Sequence, residues 1–123
     1  MSISSTSLAA AFLLAIAAGG ALAQDDAVSR GKRQFATCGV CHSVAHANAV
    51  GPYLDGIVGR TAGSVDGFHY SRAMKGAGTW STAHLDAFIA EPQHAVPGTV
   101  MPYAGMPDAK ARADLIAYLA TLR

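Results

Sequence analysis

Two thiols and an imidazole are grouped in the segment Cys38-Gly39-Val40-Cys41-His42. Two cysteines separated by two residues and followed directly by a histidine are typical of the attachment site of a covalently bound haem. In a helical turn, positions i, i+3 and i+4 share one face, so Cys38, Cys41 and His42 converge on one object. Each thiol can add to one vinyl group of the haem, and the imidazole then points at the iron. The alternative is a chance cysteine pair that forms a strained disulfide.

A haem iron bound by one histidine has a sixth position that takes a second ligand, takes water or stays open. Met101 is the best-placed candidate, because it lies far beyond His42 in the chain, in a segment flanked by Pro97 and Pro102. Prolines fix φ and restrict the unfolded chain, so they hold a ligand-bearing loop in place. A thioether opposite an imidazole raises the reduction potential and closes the iron to small ligands. The other candidate donors are interpreted differently: Met74 and Met106 as core residues, His84 as a surface residue on a helix, and His94 as a surface residue in a loop. The roles of His46 and His69 are left open.

The segment 1–23 has the pattern of a secretory signal peptide. Residues 8–18 form an unbroken run of apolar side chains, and Ala21-Leu22-Ala23 is a small-x-small cleavage site. The run is too short for a membrane span, although no Lys or Arg precedes it, and an uncleaved anchor is the alternative. We therefore expect one mature domain at 24–123. Both cysteines lie in the haem motif, so no structural disulfide remains to be made, and the haem-free domain is expected to be largely unfolded.

The mature chain predicts helices joined by long loops, with no strand-like alternation. Residues 42–78 hold seven glycines and no sustained period, which is typical of loops that wrap around a cofactor. Three helices are predicted: Asp26 to Thr37, Ser81 or Thr82 to Ala90, and Ala109 to Leu122. Asp25 and Asp26 begin the first helix, Pro92 ends the second and Asp108 begins the third. A short helical turn over 71–75 and an extended segment over 97–102 are predicted between them. The fold class is therefore all-α.

The first and last predicted helices are expected to cross closely. An interior glycine costs a helix about 1 kcal/mol, and Gly31 is explained if it lets the last helix approach. Phe35 lies one turn further on, and it would then pack against Tyr118. The alternative is that Gly31 is simply a weak helix position.

The ordered motifs of the mature chain resemble those of a class I cytochrome c of the mitochondrial-like bacterial kind. The resemblance is carried by these segments: 31–35 (GKRQF), the haem motif, 50–54 (VGPYL), 59–60 (GR), 67–71 (GFHYS), 79–80 (TW), 97–101 (PGTVM) and 112–119 (RADLIAYL). It implies one haem c, attached through Cys38 and Cys41 and ligated by His42 and Met101. The fold it implies has crossing N- and C-terminal helices and loops wrapped around the haem.

The same resemblance implies roles for residues around the haem. The carbonyl of Pro52 would accept the second N–H of the His42 imidazole, which fixes the ring and raises its basicity. Tyr70 and Trp80 would hydrogen-bond a buried propionate, supported by Arg60 and Thr99, because an unpaired buried carboxylate is very costly. The haem-contacting walls would be Leu54, Phe88, Ile89 and Leu119.

Three departures from the family pattern have consequences. Phe88 stands where many relatives have a tyrosine, so a hydroxyl bond to the methionine sulfur is expected to be absent. Val100 replaces a lysine often found before the ligand, so a neighbouring lysine is not available to displace Met101. The segment 71–78 is one residue shorter than the family pattern, which leaves the counterpart of the family's buried asparagine open.

The predicted function is that of a periplasmic one-electron carrier, not an enzyme. Its expected partners are redox proteins such as a cytochrome bc1-type complex, an oxidase, a reaction centre or a dehydrogenase. The alternatives are a dedicated haem subunit of a periplasmic dehydrogenase, a membrane-tethered carrier, and a haem peroxidase or ligand-binding sensor with an open iron.

Composition limits the kinds of partner further. The nine Lys and Arg are nearly balanced by eight acids, and only three of the nine are lysines. A strongly basic docking face is therefore not expected, and reaction rates with a partner should depend weakly on ionic strength. No basic run or aromatic platform supports nucleic-acid binding. The mature protein is expected to be a monomer without stable membrane insertion.

Overall fold

The computed structural model describes residues 8–123, with side chains from Gly19 onward. The helices are α1 (Leu8–Gln34), α2 (Arg72–Lys75), α3 (Thr82–Ala90), α4 (Pro92–Ala95) and α5 (Ala109–Thr121), and a 3₁₀ turn over Phe35–Thr37 follows α1. The described residues contain no β-strand, only one isolated antiparallel bridge between Thr61 and Thr79. The all-helical prediction is thereby confirmed.

Short polar side chains begin the helices where the sequence predicts them. The Ser81 hydroxyl accepts a hydrogen bond from the backbone N–H of His84, at 3.1 Å, at the start of α3. The Asp108 carboxylate accepts from the N–H of Ala111, at 3.0 Å, at the start of α5. Ser71 begins α2 in the same way, by accepting from the N–H of Met74 at 3.1 Å. Each cap satisfies a backbone donor that the helix itself leaves unpaired.

The predicted start of the first helix is wrong. The helix begins at Leu8 rather than Asp26, so Asp25 and Asp26 lie inside it and do not cap it. The cause is composition, because the Ala- and Leu-rich segment before Gln24 consists mostly of strong helix formers. Residues 1–7 of the predicted signal peptide lie outside the described part of the chain. Among the residues the structure describes, no helix is both long enough and apolar enough to cross a membrane.

Helix α4 is absent from the sequence prediction, and it places His94 in a helix rather than in a loop. Pro92 does end α3, because the residue before a proline is pushed out of the helical region and Glu91 has φ −147°. The same proline then occupies the first turn of α4, where its missing N–H costs nothing. His94 is exposed, as expected for a surface residue.

Helices α1 and α5 cross with their backbones in contact, as the sequence predicts. A Cβ atom at Gly31 would overlap the carbonyl oxygen of Asp114 and lie 2.8 Å from Cβ of Tyr118, so only glycine fits. The rings of Phe35 and Tyr118 pack 5.5 Å apart. Leu115, on the same helix as Tyr118, is the most deeply buried hydrophobic residue of the described core, at 1% exposed. The crossing closes one side of the core.

A buried carboxylate joins the two crossing helices. Arg30 on α1 donates to both oxygens of Asp114 on α5, at 2.8 and 3.1 Å, and the Lys110 ammonium lies 3.4 Å from both. The side chain of Asp114 is 8% exposed. These hydrogen bonds, that from Arg30 foremost, hold the pKa of the Asp114 carboxyl below its ordinary value.

Replacing Asp114 by asparagine is expected to flatten the acid side of the pH–stability profile. A carboxyl whose pKa is lower in the folded than in the unfolded state stabilises the fold at pH values above its ordinary pKa. That contribution is lost as the pH falls through the lower, folded pKa. Urea unfolding should be measured for wild type and Asp114→Asn between pH 3 and 6. The difference between their free energies of unfolding should become smaller as the pH falls. Asp66→Asn, at an exposed carboxylate, is the control, and parallel curves for Asp114→Asn would contradict the prediction.

Candidate haem site

One apolar cavity of about 530 Å³ lies among the loops, α3 and α5. The nine side chains predicted to bind the cofactor all line it: Cys38, Cys41, His42, Pro52, Arg60, Tyr70, Trp80, Thr99 and Met101. The four predicted walls line it as well: Leu54, Phe88, Ile89 and Leu119. The structure therefore brings every predicted site residue to one space, from segments that are distant from one another in the chain.

The thiols lie on a helical turn that follows the 3₁₀ turn at the end of α1. The N–H of Cys41 and the N–H of His42 both donate to the carbonyl of Cys38, at 3.1 and 3.0 Å. This i, i+3, i+4 geometry places Cys38, Cys41 and His42 on the same side of the turn, as the spacing predicts. Neither cysteine is in a disulfide. Burial raises the pKa of the Cys38 thiol.

The His42 ring is held in one tautomer. Its Nδ1 lies 2.7 Å from the carbonyl oxygen of Pro52, and because a carbonyl can only accept, Nδ1 carries the proton. Nε2 is then left with a free lone pair, which is the form that binds a metal. Next to the ring, a Cβ at Gly51 would overlap Cε1 of His42 and lie 2.7 Å from its Nδ1. Glycine at position 51 therefore makes room for the imidazole, a requirement that the sequence alone does not reveal.

Met101 lies on a loop that is fixed on both sides. Before it, Thr99 is buried, its N–H donates to the carbonyl of Val96, and its hydroxyl accepts from the N–H of Met101 at 3.4 Å. After it, the N–H of Tyr103 donates to the carbonyl of Met101 at 2.9 Å, and the N–H of Met106 donates to the carbonyl of Ile89 on α3 at 2.8 Å. The predicted extended, turn-rich segment is therefore anchored to the body of the domain.

Arg112 fixes the far end of the same loop. Its guanidinium donates to the carbonyls of Met106 and Pro107, at 2.8 and 2.9 Å, and its Nε donates to the Asp86 carboxylate at 2.8 Å. Its side chain is 12% exposed. One residue of α5 therefore ties the ligand-bearing loop to α3.

Polar side chains line another part of the cavity. The Tyr70 hydroxyl accepts from the N–H of Val65 at 3.2 Å, which leaves its own proton available, and burial raises its pKa. Trp80 is 5% exposed; its ring packs against that of Phe88, with centroids 5.0 Å apart and a tilt of 54°, and stacks on that of His84 at 4.4 Å. His84, predicted as a surface residue, is half-buried by this stack and by the contact of its Nδ1 with the carbonyl of Thr79 at 3.0 Å.

Arg60 is positioned through backbone carbonyls. It donates to the carbonyl of Tyr53 at 2.8 Å and to the carbonyl of Asp55, and its guanidinium lies 4.8 Å from the centre of the Tyr53 ring. The imidazole of His46 stacks on the same ring at 4.2 Å and contacts the buried Asp55 carboxylate at 3.0 Å. Burial by itself would raise the pKa of the Asp55 carboxyl, but its hydrogen bonds with the backbone N–H and the ring of His46 help to hold the pKa below its ordinary value. His46 therefore has a structural place outside the cavity.

The position of Met74 is predicted only in part from the sequence. It packs against the hydrophobic core, as predicted, and it also lines the cavity. Met106 packs against the core and does not line the cavity. His69, which has no predicted role, lines the cavity.

The residues present fit a covalently bound haem. The cavity offers two thiols, an imidazole with a free Nε2, a thioether and largely apolar walls, which match the thioether links, the axial positions and the ring of that cofactor. Together the helical fold and this site define a small covalently haem-binding protein.

Comparison with known proteins gives the family. The sequence model of the cytochrome c family matches residues 28–123, so the chain belongs to this family. It is 48% identical over 87 residues to a cytochrome c-type cyt cy of Rhodobacter capsulatus, a match that covers 70% of this chain and 44% of that protein. It is 42% identical over 111 residues to a cytochrome c2 of Blastochloris viridis, covering 88% and 86% of the two chains. The chain thus spans less than half of the first relative and most of the second.

A solved structure agrees with this assignment. Cytochrome cH from Methylobacterium extorquens superimposes with a TM-score of 0.73 at 44% identity, covering 76% of this chain and 97% of the other. The resemblance to a class I bacterial cytochrome c and the cytochrome c fold are confirmed. The cofactor is haem c, bound covalently.

Proposed function

We propose that the mature domain at 24–123 is a periplasmic one-electron carrier whose haem has His42 and Met101 as axial ligands. The iron of the bound haem supplies the chemistry, by alternating between the ferric and the ferrous state. The chain's own residues attach the cofactor, supply the ligands, exclude water and present the site to redox partner proteins. The observation that carries the proposal is the 2.7 Å contact of His42 Nδ1 with the carbonyl oxygen of Pro52, which leaves Nε2 as the free ring nitrogen at a cavity that Met101 also lines.

Several features support a carrier rather than an enzyme. Electron transfer is favoured when both axial ligands are held rigidly, because little then has to move between the two oxidation states. His42 is held by the carbonyl of Pro52 and packed against Gly51, and the loop of Met101 is anchored to α3 and α5. A peroxidase or a ligand sensor needs an open position on the iron instead. Export is supported by the small-x-small site at Ala21-Leu22-Ala23.

Two measurements test this function: a redox titration, and the binding of carbon monoxide to the ferrous protein. The protein purified from a host that attaches haem c is expected to show one reversible one-electron step per haem. Its ferrous form should not bind carbon monoxide at neutral pH. Fast and complete binding of carbon monoxide would favour the enzyme or sensor instead.

The intact mass of the same sample tests cleavage of the signal peptide and the number of haems. It should equal that of the segment 24–123 plus one haem, and a mass that includes the predicted signal peptide would favour a tethered carrier.

A further inference from the structure

The backbone of His46 has a left-handed conformation, with φ 55°, and it is the one residue other than glycine with a positive φ in the described part of the chain. Residues with a side chain seldom adopt this conformation, and glycine is the usual occupant of such positions. A residue held there costs free energy and persists only where its surroundings fix it. The contacts of the imidazole therefore offset a strain that glycine would avoid.

Asp55 makes the strongest of these contacts. One carboxylate oxygen accepts from the backbone N–H of His46 and the other lies 3.0 Å from Nδ1 of its ring. Although burial alone would raise the pKa of the Asp55 carboxyl, these hydrogen bonds help to hold it below its ordinary value, so the group is ionised at neutral pH. An ionised carboxylate only accepts, and the neutral ring therefore carries its proton on Nδ1.

The two members of this pair differ in their access to water. The side chain of His46 is 74% exposed, whereas that of Asp55 is 7% exposed. The ring can therefore take up a second proton from the solvent, and histidine is the side chain whose ordinary charge change falls between pH 5 and 8. The pair has one negative charge when the ring is neutral and no net charge when the ring is protonated. That charge lies at a buried carboxylate, where water screens it less.

The pair is connected to the wall of the haem cavity. Four residues of the segment 52–60 line the cavity, and Arg60 is one of them. The Arg60 guanidinium donates to the carbonyl of Asp55 and, at 2.8 Å, to the carbonyl of Tyr53. The Tyr53 ring lies 4.8 Å from this guanidinium and 4.2 Å from the His46 ring. The pair and a charged residue of the cavity wall therefore share two neighbours.

Three further charged residues belong to the segments packed around the pair. Arg60 bonds two carbonyls of the segment 52–60. Arg123 follows the residue whose carbonyl accepts from the N–H of Gly56 at 3.2 Å. The backbone carbonyl of Asp66 accepts from the amide of the asparagine at position 48, at 3.0 Å. Guanidinium groups and ionised carboxylates keep their charge between about pH 5 and 8, whereas an imidazole does not.

We propose that His46 is a proton-binding site whose occupancy is linked to the oxidation state of the haem through the buried Asp55 carboxylate and Arg60. This inference rests on the proposed electron-carrier function and adds a proton to its single electron. On reduction one electron enters, and the added negative charge favours uptake of a proton from water by the His46 ring. On oxidation the electron leaves for the redox partner and the proton returns to water.

The reduction potential is expected to fall as the pH rises between 5 and 8. A protonated His46 ring cancels the charge of Asp55, and loss of that negative charge favours the ferrous state. Linkage is reciprocal, so reduction tightens proton binding by the same factor by which the proton tightens electron binding. Because the ring is largely exposed, we expect a factor of roughly three, which is about 28 mV at about 59 mV per tenfold change in a one-electron equilibrium.

The test measures the reduction potential of the holoprotein from pH 5 to 8 in wild type, His46→Asn and His94→Asn. Asparagine tolerates the left-handed conformation and does not titrate in this range. His94 is the control, because it is an exposed histidine on α4 that does not line the haem cavity. NMR titration of the His46 ring in the ferrous and ferric proteins measures the proton affinity in each oxidation state directly.

Wild type and His94→Asn should show the full fall in potential. His46→Asn should match wild type at pH 8 and lie below it at pH 5, because only the effect of the protonated ring is lost. His46→Gly, which removes the backbone strain together with the ring, should behave in the same way, and it serves if the asparagine variant does not fold. The ferrous protein should bind the proton of His46 about threefold more tightly than the ferric protein.

Three results would overturn the proposal: a potential of the His46 variants that falls as in wild type, an equal loss of this fall in His94→Asn, or NMR titration curves of His46 that coincide in the two oxidation states. A potential displaced equally at every pH would show that His46 has only a structural role. A wild type without a reversible one-electron step contradicts the carrier function itself. A reversible step whose pH dependence does not require His46 contradicts only the proton site.

Discussion

Replacing Met101 by alanine is expected to abolish the weak absorption band at the red end of the ferric spectrum that reports a sulfur–iron bond. The reduction potential should fall at the same time, by roughly a few tenths of a volt, because axial ligands set haem potentials over a range of about 0.8 V and a thioether favours the ferrous state. The opened iron should then bind carbon monoxide in its ferrous form. Spectra and a redox titration of the purified variant measure all three effects.

Two matched variants make this test specific to one sulfur. Met74 lines the same cavity and Met106 only packs against the core, so each offers a thioether in a different place. Met74→Leu and Met106→Leu conserve apolar volume and are expected to retain the band. A band that survives in Met101→Ala, or one that disappears in Met74→Leu, would show that the assignment of the ligand is wrong.

Replacing Gly31 by alanine is expected to destabilise the holoprotein by about 3 kcal/mol or more, because overpacking a close contact forces the backbone to move. The added Cβ would overlap the carbonyl oxygen of Asp114 and lie 2.6 Å from its carbonyl carbon, and these backbone atoms cannot rotate away. In an isolated helix the same change would be stabilising by about 1 kcal/mol. The sign of the effect therefore separates a close helix crossing from a weak helix position.

Chemical unfolding of the variant and of a glycine control measures this difference. Gly76→Ala is the control, since a Cβ there would have its nearest neighbours at 3.8 and 3.9 Å, which is ordinary contact. Its free energy of unfolding should stay within about 0.5 kcal/mol of wild type, as for most surface substitutions. A neutral or stabilising Gly31→Ala would mean that α1 and α5 do not meet as described.

The features predicted correctly from the sequence are those that local chemistry determines. The spacing of Cys38, Cys41 and His42 is a property of one helical turn, and it survives whatever surrounds it. The caps at Ser81 and Asp108 are likewise set by a side chain and a backbone N–H in the next turn. For such features the residue types and their spacing are sufficient.

The features that sequence reasoning misses depend on segments distant in the chain. Position 51 needs glycine because the His42 ring lies against it, and this contact is known only from the structure. Met74 lies on the cavity wall because of the path of the loops, which its neighbours in the sequence do not indicate. The predicted start of α1 is wrong for a different reason. The sequence prediction begins the helix after the cleavage site, whereas the helix propensity of the residues on both sides of that site is continuous.

The guanidinium of Arg112 has a mechanical consequence for the proposed sixth ligand. It bonds the carbonyls of Met106 and Pro107 on the loop beyond Met101 and the carboxylate of Asp86 on α3, while its own backbone belongs to α5. The loop cannot swing away from the domain unless these bonds break together. If Met101 binds the iron, its release by opening of the loop would require these bonds on both helices to break cooperatively, so the packing of the C-terminal half would stabilise the bound ligand.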